Sequence, residues 1–99
     1  MAAFGITASG PGRLDANGEL TFGTAARALR AGLDALAPGN AWVIDLSRVT
    51  AGDSAGIAVL IEWLSAARAR GARVRYEGMP DQMRAIARIS DLEDLLLSD

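Results

Sequence analysis

The most constraining stretch of the chain runs from Trp42 to Gly56: Trp-Val-Ile-Asp-Leu-Ser-Arg-Val-Thr-Ala-Gly-Asp-Ser-Ala-Gly. Its first part, Ala41 to Leu46, is a nearly continuous apolar run, as expected of a short strand buried on both faces. Asp45 interrupts the run near its end, where a strand leaves the sheet and meets water. A short polar turn is expected next. Asp53 and Ser54 then precede a long apolar-patterned segment. Both residue types offer a side-chain oxygen to the unpaired N–H groups of a helix start. The stretch therefore reads as strand, turn and capped helix.

The flanking segments extend this order. Phe4–Ser9 and Arg13–Asn17 bracket Gly10-Pro11-Gly12, which is turn chemistry, so a short antiparallel hairpin is expected. Gly18–Gly23 crosses to a helix with Thr24 at its N-cap. Ala25, Ala26, Leu29, Leu33 and Leu36 form one helical stripe, and Pro38-Gly39-Asn40 ends it. Ala55–Arg70 is the main helix, stopped by Gly71, with Arg68 and Arg70 favouring its negative end. Ala72–Glu77 alternates as a strand does, with Val74 and Tyr76 inward. Gly78-Met79-Pro80-Asp81 opens a third helix, buried through Met83, Ile86 and Ala87, and Ser90-Asp91 breaks it. Leu92, Leu95, Leu96 and Leu97 dock the tail. Strand–helix alternation with short links predicts right-handed crossovers and a partly parallel sheet. The fold class is α/β, with residues 1–99 forming a single domain.

Composition removes whole classes of chemistry. The chain has 99 residues, 51% of them hydrophobic, and a formal net charge of −2. A chain of this length buries only about 60–65% of its unfolded surface, which leaves little for a deep cleft. The charge is dispersed, so nucleic acid and anionic membrane are not expected partners. There is no Cys, hence no disulfide and no thiolate metal site. There is no His, which excludes a Ser-His-Asp triad and imidazole–metal ligation. All ten basic residues are Arg, so a Ser-Lys dyad and a Walker-type phosphate loop are excluded as well. Met1–Ile6 has no basic region followed by an apolar run, so no signal peptide is expected. Ile57–Leu64 contains Glu62 and is too short to span a bilayer, so no direct membrane insertion is expected.

On a helical wheel of about 100° per residue, Leu60, Ile61, Leu64 and Arg68 fall within about 60° of Ile57 and form the core face. Val59, Trp63 and Ala66 lie on the far side, at about 180–240°. Two readings of Trp63 follow. It packs against a neighbouring helix or the C-terminal leucines, or it anchors a protein-binding patch, a role in which Trp is enriched. Asp53-Ser54 likewise has two readings. The pair caps a helix, or Ser54 is an exposed hydroxyl that contacts a partner or accepts a phosphate. A phosphate adds about −1.5 to −2 charges at a helix N-terminus, which the fold tolerates and an acidic partner does not.

Val43-Ile44-Asp45-Leu46-Ser47-Arg48-Val49, followed by Asp53-Ser54-Ala55-Gly56-Ile57-Ala58-Val59-Leu60, resembles the STAS domain of anti-sigma factor antagonists and sulfate transporters. That family carries an Asp-Ser/Thr-x-Gly motif after an apolar-Asp/Asn-Leu strand. The resemblance extends from Gly18-Glu19-Leu20 to the final leucines and implies a small mixed β-sheet flanked by α-helices. Within the family, three segments look most like the small STAS subunit of the bacterial Mla phospholipid-transport ABC complex: Leu20-Thr21-Phe22, Asp45–Val49 and Ala58–Trp63. This resemblance implies a non-enzymatic subunit without a cofactor. It would bind the cytoplasmic ATPase of the transporter, and through it the permease. Its expected location is cytoplasmic, peripheral to the inner membrane. Together with the Val59/Trp63 face, it makes Asp53, Ser54, Ala55, Gly56, Val59 and Trp63 the expected partner-binding residues. In the antagonist branch the residue matching Ser54 is phosphorylated by a serine kinase that doubles as the anti-sigma factor. That branch usually follows Gly-Glu-Leu with an acidic residue, where this chain has Thr21.

Other classes rest on less. Asp45, Asp53 and Glu62 are carboxylates that an enzyme could use, alone or with a metal, if Asp45 and Asp53 meet at one end of the sheet. The plainer reading is a strand-end Asp, a cap and a solvated helix Glu. A small-ligand site near the first hairpin is a further alternative.

Overall fold

Gly12 shows how the sheet is started. Its φ of +70° lies in the left-handed region, and a Cβ there would sit 3.0 Å from the Ala41 carbonyl oxygen. Glycine therefore allows the Gly10-Pro11-Gly12 turn to lie against the next strand, where Val43 N–H donates to Gly12 O at 2.8 Å. A computed structural model of the protein describes residues 3–36 and 41–97. Pro38-Gly39-Asn40, expected to end the first helix, lies outside the described residues.

The elements run β1 (Gly5–Gly10), β2 (Arg13–Leu20), α1 (Ala25–Ala35), β3 (Ala41–Gly52), α2 (Ser54–Ala69), β4 (Arg73–Glu77), α3 (Asp81–Ile89) and α4 (Glu93–Leu97). The sheet order is β1-β2-β3-β4. β1 and β2 pair antiparallel, whereas β2–β3 and β3–β4 are parallel. The mixed sheet inferred from the sequence is thus observed. Burial alternates along β2: Leu14, Ala16 and Leu20 enter the core while Arg13 and Asn17 face water. Across the outer sheet surface Arg13 and Arg75 both pair with Glu77, at 3.3 and 3.1 Å.

The expected polar turn after Leu46 does not form. Ser47–Gly52 continues β3 as strand. The register with β2 slips twice, between Asp15/Asn17 and between Gly18/Glu19, each time placing an extra residue on β3. Buried positions therefore fall at Ile44, Leu46, Val49 and Gly52 instead of at every second residue. Such bulges break the alternation that identifies a strand in sequence. Asp45 sits at the first bulge, not at the strand's end. Pairing with β4 stops there, at Asp45↔Glu77, and Asp45 Oδ1 accepts from Ser47 N at 2.8 Å. Hydrogen bonding from Ser47 holds the Asp45 carboxyl below its ordinary value of 3.8.

α2 is buried on two sides. Ile57, Leu60 and Leu64 pack on the sheet side, as the wheel required. Val59 and Trp63, on the far side of the wheel from the sheet, are 4% and 0% exposed, so of the two readings of Trp63 the packing against a neighbouring helix holds. α1 covers them. A Cβ on Gly32 of α1 would fall 2.2 Å from the Trp63 indole, so only glycine allows the ring this close to the α1 backbone. Trp63 Nε1 donates to Leu29 O at 3.2 Å, and the Phe4 ring lies 5.9 Å from the indole, tilted by 47°. The buried indole thus keeps its hydrogen bond. Elsewhere in the core, Tyr76 OH donates to Leu60 O at 2.7 Å, and burial pushes the phenol well above its ordinary value.

Two smaller expectations need correction. Thr24 stands at the N-cap of α1 as expected, but its side chain makes no capping bond. Its hydroxyl accepts from Thr21 N at 2.9 Å and donates to Glu19 O at 2.8 Å, bracing the β2–α1 turn instead. Of the tail leucines, Leu96 is buried, whereas Leu95 is 39% exposed.

Two outcomes test this packing. Gly32→Ala should lower the melting temperature in a circular-dichroism melt, although Ala favours helix over Gly by about 1 kcal/mol. Overpacking against Trp63 costs about 1–3 kcal/mol and outweighs that gain. Asp45, with its pKa lowered on folding, adds stability above about pH 3.8 that is lost as the pH falls through its folded pKa. Asp45→Asn should therefore flatten the acid limb of the stability–pH curve slightly, because the group is exposed to solvent screening.

Candidate functional site

The site is built where β2 and β3 end together and α2 begins. Asp53 is the N-cap of α2, with extended backbone. Its Oδ1 accepts from Ala55 N at 2.9 Å and Gly56 N at 3.1 Å. Its Oδ2 accepts from Phe22 N at 3.1 Å, across the β2–α1 turn. Gly56 has a local reason to be glycine: a Cβ there would meet the Leu20 carbonyl oxygen at 2.1 Å. The first turn of α2 thus presses directly on the end of β2. Ser54, the first residue of α2, is exposed.

Beside this corner a shallow apolar trough of about 320 Å³ runs between α1 and α2. It is lined by Phe22, Ala25, Ala26 and Leu29 on one side and Ala55, Ala58, Val59 and Glu62 on the other. Alanines on both walls keep it open to large side chains from outside. Phe22, one of the lining residues, has 86% of its surface exposed. A larger depression of about 420 Å³, lined by Ala41–Val43 and Arg73–Arg75, lies at the opposite end of β3, away from Ser54.

The expected partner-binding residues separate into two groups. Asp53, Ser54 and Ala55 lie at the surface corner and are brought together. Gly56 and Trp63 are buried, and Val59 only floors the trough. Trp63 is therefore core and does not anchor a surface patch; the wheel placed it correctly relative to the sheet but did not show that α1 would cover it. The exposed aromatic is Phe22 instead. Sequence reasoning missed it, along with Ala25, Ala26, Leu29 and Ala58. The available signal was an aromatic residue in a turn, between Thr21 and Gly23, where no core position is expected.

The carboxylates do not converge. Asp45 lies at the first bulge and Asp53 beyond the end of β3, on the order of 20 Å further along a strand rising about 3.3 Å per residue. Glu62 is exposed on the trough wall. Among the described residues no group of three or more acidic side chains is placed to hold a metal, and no helix is long and apolar enough to cross a membrane.

A mixed four-stranded sheet, with an Asp-capped helix and an exposed Ser directly after its central parallel strand, is the arrangement of a STAS domain. The chain belongs to the STAS family: the family model described as "Mlab, STAS domain" matches residues 6–98. Within the family that match is to the MlaB type.

No curated protein matches the sequence. Solved structures show the same fold. The Bacillus cell fate determinant SpoIIAA in its phosphorylated form aligns with a TM-score of 0.63 at 17% identity, over 96% of this chain and 89% of that one. A sulfate transporter family protein from Wolinella succinogenes gives 0.66 at 23% identity, over 93% and 75%. The murine anion transporter Slc26a9 gives 0.60 at 16% identity, over 87% of this chain but only 14% of that much longer one.

Because Phe22 contributes almost nothing to the core, Phe22→Ala should change stability by no more than about 0.5 kcal/mol. Superimposable thermal melts of the two proteins are the expected result.

Proposed function

We propose that this chain is a non-enzymatic STAS subunit that binds and supports the cytoplasmic ATPase of a phospholipid ABC transporter of the Mla type. The observation that carries the reading is the surface corner itself. Exposed Phe22 lines an apolar trough whose other wall begins at Ala55, the residue after exposed Ser54, in a chain matched by the MlaB-type family model. A contiguous apolar surface rimmed by polar groups favours a protein partner. In this reading the ATPase also connects the chain to the permease and holds it at the inner membrane. Ala55, Ala58 and the outer edge of Val59 complete the contact. No cofactor takes part.

A second reading, a partner switch like that of the anti-sigma factor antagonists, draws on Ser54. Its hydroxyl is exposed at a helix start, where a phosphate is tolerated by the fold. The partner would then be a serine kinase that is also an anti-sigma factor. Phosphate found on Ser54 by mass spectrometry of the chain isolated from its host would favour the switch.

The test of the first reading is titration calorimetry with the purified ATPase subunit from the same organism. Wild type should bind. Ser54→Asp and Ala58→Arg should fold normally and each weaken binding by about tenfold or more, equivalent to about 1.4 kcal/mol. Unchanged affinity in both would remove the trough from the interface.

A further inference from the structure

Asp53 divides its carboxylate between two tasks. Oδ1 receives the Ala55 and Gly56 N–H groups and starts α2. Oδ2 receives the Phe22 N–H, 31 residues away in sequence, from a turn that belongs to neither α2 nor β3. The other bonds of that turn are internal to it and to the end of β2. Thr24 N donates to Thr21 O at 3.0 Å, and the Thr24 hydroxyl links Thr21 N to Glu19 O. They fix the shape of the turn. The Phe22–Asp53 bond fixes its placement against α2, beside Ser54.

That placement matters because Phe22 is held out in water. Phe22 lines the apolar trough yet keeps 86% of its surface exposed, so its own chain covers little of it. Its backbone is what can be ordered before a partner arrives. Preorganising a large anchor side chain lowers the ordering cost of association, and aromatic residues are the commonest such anchors.

We propose that Asp53 is a positioning residue of the docking surface: through Oδ2 it holds the Phe22 turn at the mouth of the α1–α2 trough, so that Phe22 enters the partner as a preplaced anchor. The occupant is the ATPase subunit, through an apolar segment carrying a basic residue opposite Glu62, the one charged residue in the trough lining. The inference rests on the docking reading above, so its first readout needs no partner.

The variants follow from hydrogen-bond chemistry. Asn caps helices as well as Asp does, so Asp53→Asn keeps the Oδ1 cap but turns an amide N–H₂ toward the Phe22 N–H. Asp53→Ser also caps, with a single oxygen, and loses the same bond. In ¹⁵N NMR both should move the Phe22 amide resonance and speed its hydrogen exchange, while the Ala55 and Gly56 amides stay protected. Against the purified ATPase subunit, each should weaken binding about tenfold, and Phe22→Ala combined with Asp53→Asn should be no weaker than Phe22→Ala alone. An unperturbed Phe22 amide overturns the proposal whatever the ATPase does. So does wild-type affinity in Asp53→Asn, or a full additive loss in the double variant, which would mean that Asp53 touches the partner itself. Failure of the wild-type chain to bind the ATPase overturns the docking reading instead, and with it the anchor role of Phe22.

Discussion

The seating of Trp63 against Gly32 governs the rest of this structure. Because Gly32 has no side chain, the indole lies directly on the α1 backbone, and its N–H reaches the Leu29 carbonyl. α1 and α2 are thereby drawn together over the sheet. The same close approach brings Ala25 and Ala26 of one helix opposite Ala55 and Ala58 of the other. Small residues facing each other leave a trough where larger ones would have completed a core. The surface proposed for docking is thus a by-product of how the two helices pack, which is why it is shallow and almost wholly apolar.

The end of β3 supplies the second constraint. Two bulges lengthen the strand relative to β2 and deliver Asp53 next to the end of that strand, where Asp53 N lies 3.4 Å from Leu20 O. Gly56 then lets the helix start sit on the Leu20 carbonyl. With the backbone so arranged, one carboxylate reaches both the first turn of α2 and the turn that carries Phe22. Cap, motif glycine and exposed Ser54 are consequences of a single junction. This accounts physically for an Asp-Ser-x-Gly pattern without invoking chemistry at the serine.

Much of this was legible beforehand. The apolar run 41–46, the caps and the glycine stops identify the strands and helices and their order, because those signals are local. The hairpin at Gly12 is local as well. The extent of β3 was not legible, since bulges destroy the period of two on which a strand is recognised. Thr24 sits at the N-cap as its sequence position suggests, but its hydroxyl is drawn back to Glu19 at the end of β2 instead of capping α1.

Trp63 and Phe22 show where the sequence stops. A helical wheel reports which side of α2 faces the sheet; it contains no information on whether a second helix covers the other side. Only the tertiary structure places Gly32 against the indole, and in doing so it decides between the two readings of Trp63 in favour of core. Phe22 is the converse case: nothing in a four-residue link distinguishes an aromatic that folds inward from one left exposed beside a trough. By itself the sequence determined the element order as far as α3, the junction at Asp53-Ser54 and the absence of His, Lys and Cys chemistry; α4 read only as a docked leucine tail. The tertiary structure decided which apolar residues are left for a partner, because that depends on contacts between α1 and α2, elements separated in the chain by a whole strand.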